Sequence, residues 1–124
     1  IIASYPVITM KEHTHFGTKN IITNNEDDLI KLLSVEDNVD ASYPPTFVWT
    51  TLEDTCVPYV NSLLYIDALK ENNVYCESFI YPYLDHGLSV ITPMIYDLEI
   101  LKNEHMQEVS KWFDKSVDFI NKIL

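Results

Sequence analysis

Arginine is absent from the 124 residues, and eight lysines are set against nineteen acidic residues, for a formal charge of −11. The lysines are scattered, which excludes the clustered basic footprint of a nucleic-acid binder. So anionic a surface favours solubility and repels polyanions. Only two cysteines occur, Cys56 and Cys76, with no Cys-x-x-Cys pair. That argues against a metal knuckle and a disulfide framework, and reduced thiols in a cytoplasmic setting are expected. No apolar run approaches the roughly 18 to 20 residues that span a bilayer, and no basic segment precedes a short apolar stretch with a small-residue cleavage site. Neither membrane nor nucleic acid is expected as a partner. Glycine is nearly missing as well: Gly17 and Gly87 are the only two, and no linker rich in glycine and serine, repeat or low-complexity segment is present.

What is present is an ordinary globular balance, 47% apolar and 22% charged, in a length suited to one domain at most. The chain opens with Ile1-Ile2-Ala3-Ser4-Tyr5-Pro6-Val7-Ile8, a short β-branched run that reads as a buried, central strand. The first methionine, Met10, lies beyond this run, so the start of translation is expected upstream. Asn24 and Asn25 are suited to cap a helix with Glu26, Asp27 and Asp28 in its first turn and Leu29, Ile30, Leu32 and Leu33 facing inward. Ser34-Val35-Glu36-Asp37 resembles a second, weaker cap. After Pro44-Pro45, Thr46 to Thr51 reads as a strand of β-branched and aromatic residues. Pro58 suits a helix's first turn, and Leu63, Leu64, Ile66, Ala68 and Leu69 have helical spacing up to a stop at Asn72-Asn73. Val74 to Tyr81 reads as a further strand. From Glu104 on, Met106, Val109, Trp112, Phe113, Val117, Ile120 and Leu124 recur every three or four positions, the mark of an amphipathic terminal helix.

The resulting order, β-α-β-α-β-loop-α, implies a parallel sheet whose functional side chains gather at the carboxyl ends of the strands. The loop after Thr51 carries Asp54, and the loop after Tyr81 carries His86. Neighbouring strand ends could bring the two together. A carboxylate bonded to one imidazole nitrogen fixes the tautomer and stabilises the imidazolium, which leaves the other nitrogen free to take a proton from a nucleophile. Glu53 and Asp85 are rivals for the acid, each adjacent to a member of the pair.

Two stretches sharpen this reading: Thr50-Thr51-Leu52-Glu53-Asp54-Thr55-Cys56-Val57-Pro58-Tyr59-Val60-Asn61-Ser62 and Tyr81-Pro82-Tyr83-Leu84-Asp85-His86-Gly87-Leu88. They resemble the acid loop and histidine loop of bacterial α/β-hydrolases of the acetyl esterase, lipase and dienelactone-hydrolase-like type. In that family the acid stands in Asp-x-x-Val-Pro before a helix that often begins near Asn-Ser, and the histidine stands in a His-Gly dipeptide after the last core strand. Ser4-Tyr5-Pro6-Val7-Ile8 is similar to the family's strand after the nucleophile helix. The resemblance implies that residues 1–124 form a single partial domain, the C-terminal portion of an α/β-hydrolase fold, three-layer α/β/α with mainly parallel strands. It also implies Asp54 and His86 as members of a Ser-His-Asp triad, a small-molecule ester as substrate, and no cofactor. The Asp-x-x-Val-Pro register selects Asp54 over Glu53. His15-Phe16-Gly17-Thr18 corresponds to a segment where family members carry a His and a Gly-Ser or Gly-Thr word, so His15 and Gly17 are candidates to line the substrate entrance.

The departure lies in the nucleophile. The family's Gly-x-Ser-x-Gly elbow sits on a strained strand-to-helix turn that tolerates only small neighbours, and none of the serines here stands in one. The elbow and the oxyanion donors are therefore expected in an N-terminal part upstream of Ile1, and the isolated chain is expected to be inactive. A non-catalytic module is the alternative. A half-sheet ending at Ile1 to Ile8 exposes an apolar edge that would pair with the missing N-terminal half or with a second copy. His13, His15 and His105 form no closed ligand set at metal-site spacing. Cys56 reads as an ordinary thiol, and Trp49, Trp112, Tyr75, Tyr81 and Tyr83 read as core aromatics before they read as a sugar-stacking platform.

Overall fold

A computed structural model describes residues 1–124. Its centre is the strand β2, Thr46–Thr51, in which every residue is buried. β2 is flanked by β1, Ile2–Ser4, and β3, Cys76–Tyr81, in a three-stranded sheet of order β1-β2-β3. Both pairings are parallel, with Ala3 opposite Val48 and Val48 opposite Ser78. Parallel neighbours need a crossover. The first runs through α1 (Phe16–Thr23), α2 (Asp27–Leu33) and a 3-10 turn (Val35–Asp37), and the second through α3 (Val60–Glu71). After β3 come α4 (Leu98–Leu101), α5 (Glu104–Ser110) and α6 (Trp112–Ile123).

Side chains of a strand alternate between its faces, and β2 divides the core accordingly. Val48 packs with Ile8, Val39, Tyr65, Ile66, Ala68, Leu69 and Val74 on the α3 side. Phe47 and Trp49 pack with Tyr81, Leu88, Met106, Val109, Trp112 and Phe119 on the α5–α6 side. Helices therefore cover both faces, as a three-layer arrangement requires. α3 ends where Asn72 donates its backbone N–H and its side-chain amide to Ala68 O, and Asn73 turns out at φ 58. No helix is long and apolar enough to cross a membrane.

Four expectations are corrected. Only Ile2–Ser4 of the opening run is strand, and the buried, central position that its composition suggests gives way to the exposed edge expected of a half-sheet, with Ile1 46% and Ile2 39% exposed. The expected order places one helix in the first crossover, which instead holds two, α1 and α2. Asn24 closes α1 at φ 49, so the Asn pair ends one helix and does not cap the next, whose N-cap is Glu26. The terminal helix is broken at Lys111 into α5 and α6. Past the break, Trp112, Ser116 and Phe119 are the buried residues, while Phe113, Val117, Ile120 and Leu124 form an exposed apolar stripe on a flank of α6. Spacing alone identifies an apolar stripe but cannot say which of two neighbouring stripes the core takes.

Candidate functional site

Asp54 lies three residues beyond the end of β2, and its side chain is fully buried. Its Oδ1 accepts the backbone N–H groups of Cys56 at 2.9 Å and Val57 at 2.7 Å. These bonds close the turn into Pro58 and leave Oδ2 to one partner, Nδ1 of His86 at 2.7 Å. A carboxylate out of contact with water is stable only when so fully bonded. With the carboxylate as acceptor, Nδ1 of His86 donates the hydrogen bond, and in the neutral imidazole Nε2 is then the nitrogen with a free lone pair. The imidazole keeps 28% of its side-chain surface exposed, so the pair opens outward. The fold's two cavities, about 280 Å³ and 520 Å³, are lined by other residues.

Glu53 and Asp85 have separate tasks. Glu53 Oε2 accepts the N–H of Leu84 at 2.9 Å. Asp85 Oδ1 accepts the N–H of Thr55 at 2.8 Å and that of His86 at 2.7 Å, and the Thr55 hydroxyl donates to the same carboxylate. Bonds from the backbone N–H groups of Thr55 and His86 hold the Asp85 carboxyl below its ordinary pKa. Both acids thus stitch the acid loop to the histidine loop.

The histidine loop is anchored from several further directions. Trp112 Nε1 donates to Ser89 O at 3.0 Å, and the Tyr96 hydroxyl donates to Leu88 O at 2.9 Å. Leu84, Gly87 and Ser89 all have positive φ, at 79°, 80° and 52°. Only Gly87 adopts this without steric cost. Facing the loop is Tyr5, whose ring meets the His86 ring edge-on with centroids 4.5 Å apart and whose hydroxyl accepts the N–H of Ser89 at 3.2 Å. Tyr5 was not singled out from the sequence as a site residue. The available signal was its place at the carboxyl end of a parallel strand, where chemistry collects.

His15 is the N-cap of α1: its Nδ1 accepts the N–H of Thr18 at 3.2 Å and lies 2.8 Å from the Thr18 hydroxyl. A Cβ at Gly17 would come within 3.1 Å of His15 Cε1, so the glycine gives that ring its room. The hydrogen bonds of His15 are local to α1 and do not reach the Asp54–His86 pair.

Comparison with known proteins agrees with this architecture. A model of the prolyl oligopeptidase family matches residues 1–120. The chain is 37% identical over 92 residues to endo-1,4-beta-xylanase B of Butyrivibrio fibrisolvens, spanning 73% of this chain and 14% of that protein. Among solved structures, the acetyl ester-xyloside bifunctional hydrolase of Caldicellulosiruptor lactoaceticus is similar with a TM-score of 0.73 and 36% identity, over 96% of this chain and 42% of that one. A carboxylesterase of Lactobacillus plantarum shares the fold with a TM-score of 0.77 at 23% identity, over 98% of this chain and 43% of that one. The chain therefore spans less than half the length of these relatives, and its sheet and helices are a portion of the α/β-hydrolase fold.

Proposed function

The chain belongs to the prolyl oligopeptidase family, and on that footing we propose that it supplies the acid and the base of a serine-dependent carboxylic-ester hydrolase. One observation carries the reading: a fully buried Asp54 bonded at 2.7 Å to Nδ1 of a His86 that remains partly exposed. In the proposed cycle, His86 Nε2 removes the proton of a serine hydroxyl as that oxygen adds to the ester carbonyl. The resulting imidazolium returns the proton to the leaving alcohol, and an acyl-enzyme remains. Water then repeats the sequence and releases the acid. Asp54 orients the ring and stabilises its charged form throughout. The nucleophile is proposed to come from outside these 124 residues, because no serine within them stands in a Gly-x-Ser-x-Gly turn.

Short-chain esters and acetylated sugars are the proposed substrates. Similarity to an acetyl ester-xyloside hydrolase and to a xylanase supports the sugar. His15 and Gly17 are proposed to border the entrance only through the shape of α1. A cytoplasmic setting belongs to the same proposal and is supported by the exposed thiol of Cys56.

The test is to express the reading frame together with whatever sequence is contiguous with it upstream, and to assay hydrolysis of p-nitrophenyl acetate. Asp54→Asn is expected to lower kcat about 10,000-fold, the scale seen when the acid of such a triad is neutralised. Activity that survives both Asp54→Asn and His86→Ala would refute the proposal.

A second reading is favoured by a separate observation. The outer edge of β1, with Ile1 and Ile2 exposed, and the α6 stripe of Phe113, Val117, Ile120 and Leu124 are apolar surfaces. Such surfaces support pairing with a complementary chain or a second copy. On this reading the chain is an interaction module, and sedimentation would find it associated. A monomer at high concentration would count against it.

A further inference from the structure

We infer that Tyr5 is a positioning residue for His86, packing edge-on against the imidazole that Asp54 bonds and tying it to the aromatic core. This rests on the proposed roles of Asp54 and His86. The Tyr5 backbone has φ 36, a conformation unfavourable for any side chain with a Cβ. It is doubly unexpected before Pro6, because proline drives the preceding residue toward extended backbone. Strain of this kind persists only where the surroundings over-determine it, and it gathers at functional sites. The surroundings here are specific. The Tyr5 N–H donates to Trp49 O at 2.7 Å, extending the β1–β2 pairing to the site itself. The Tyr5 ring lies edge-on to Trp49, with centroids 4.9 Å apart, and edge-on to His86 at 4.5 Å. Trp49 is fully buried, bonded through Nε1 to the Ser4 hydroxyl and stacked on Trp112 at 4.9 Å.

The four rings Trp112, Trp49, Tyr5 and His86 thus form a continuous chain from α6 through β2 to the site. Its last member can swing about χ1 and χ2 unless more than one contact holds it. Asp54 holds one atom of the ring, and a single hydrogen bond leaves rotation about its own axis open. The Tyr5 ring closes that freedom, and its hydroxyl, by accepting the N–H of Ser89, fixes the strained turn that carries the imidazole. An ordinary core tyrosine would have no reason to adopt the strained backbone or to bond the histidine loop.

The test reads the imidazole directly, by nuclear magnetic resonance of the 15N-labelled product of the contiguous reading frame. A histidine held by both Asp54 and Tyr5 should show a downfield Nδ1–H signal in slow exchange with water and nuclear Overhauser contacts from the Tyr5 ring to the His86 ring. Tyr5→Phe retains the ring and should keep the signal, with faster exchange of the Ser89 amide. Tyr5→Leu removes the ring and should accelerate Nδ1–H exchange at least tenfold while the dispersed amide spectrum persists. Exchange in folded Tyr5→Leu within twofold of the parent would overturn the inference and leave the Asp54–His86 pair intact. Should Tyr5→Leu fail to fold, the parent chain decides alone: absence of Tyr5–His86 contacts overturns the inference, and their presence with a slowly exchanging signal supports it. A parent chain with no protected Nδ1–H would overturn both the inference and the reading it rests on.

Discussion

The sheet has a closed side and an open side. On the closed side, the β2–β3 half, whose outer edge on β3 is likewise unpaired, β2 with α3, α5 and α6 buries Phe47, Val48, Trp49 and Leu69 completely, and the loops leaving the two strands bond to each other through Glu53, Asp54, Asp85 and His86. On the open side, β1 contributes three residues, its outer edge is unpaired, and Ile1 and Ile2 keep 46% and 39% of their surface in water. Both β2 and the opening run that contains β1 are rich in β-branched residues. Composition therefore records what a strand is suited to meet, while burial records what it meets in these 124 residues. The proposed chemistry stands on the closed side, and a partner surface is proposed for the open one.

The sharpest way to break this contrast is in catalysis. In an active protein containing this chain, His86→Ala or Asp54→Asn should cost about 10,000-fold in kcat, whereas Ile2→Ala should leave kcat within a few fold, as steady-state kinetics would show. Stability separates the sides next. Phe47→Ala removes a fully buried ring and should cost about 3–5 kcal/mol in urea denaturation. Ile2→Ala, at the exposed edge, should cost about 0.5 kcal/mol or less. Equal losses at both positions would mean that β1 is buried in solution and that the open side is occupied.

A smaller effect concerns Tyr81, whose buried hydroxyl has no hydrogen-bond partner. Burial pushes its phenol up to about 12 from the ordinary 10.0. The neutral form is thus favoured in the folded chain. Its contribution is fully present below the unfolded value and is lost as pH rises toward the folded one. Tyr81→Phe should therefore leave Tm unchanged or raised at neutral pH, since no bond is lost, and should flatten the alkaline decline in stability. The smallest effect belongs to Asp85, whose carboxyl is held below 3.8 chiefly by the N–H groups of Thr55 and His86. A depressed carboxyl stabilises the fold above its unfolded pKa and ceases to do so as pH falls through the folded value. Asp85→Asn should make the decline of Tm below about pH 4 shallower, as acid titration by calorimetry would show.

Sequence legibility followed the same division. The strand from Thr46 to Thr51 matches its expected bounds because its β-branched and aromatic residues are flanked by Pro44-Pro45 on one side and a polar loop on the other. The meeting of Asp54 with His86 was foreseeable from the geometry of adjacent parallel strands, whose carboxyl ends lie side by side. The edge position of β1 was legible only through the resemblance, which makes Ile1 to Ile8 the end of a half-sheet; composition alone reads an apolar run as buried whether or not its partner is within these residues. The exposed stripe on α6 was hidden for the same reason: Phe113 and Val117 satisfy helical spacing as well as Trp112 and Phe119 do. Tyr5 was illegible on another ground. A positive φ before proline contradicts local preference and is imposed by tertiary contacts with Trp49, His86 and Ser89. The choice of Asp54 over Glu53 rested on the Asp-x-x-Val-Pro register, and that over Asp85 on its adjacency to His86, which turns its side chain elsewhere; the bonds that Glu53 and Asp85 make instead were not legible.

The roles of Asp54 and His86 toward a serine from outside these residues are tested most directly by intact-mass labelling with a serine-directed fluorophosphonate. The labelling is done on the product of the contiguous reading frame. One adduct is expected, on the serine of a Gly-x-Ser-x-Gly turn, with a labelling rate that collapses on His86→Ala. An adduct on a serine within Ile1 to Leu124, or a rate indifferent to His86→Ala, would contradict it.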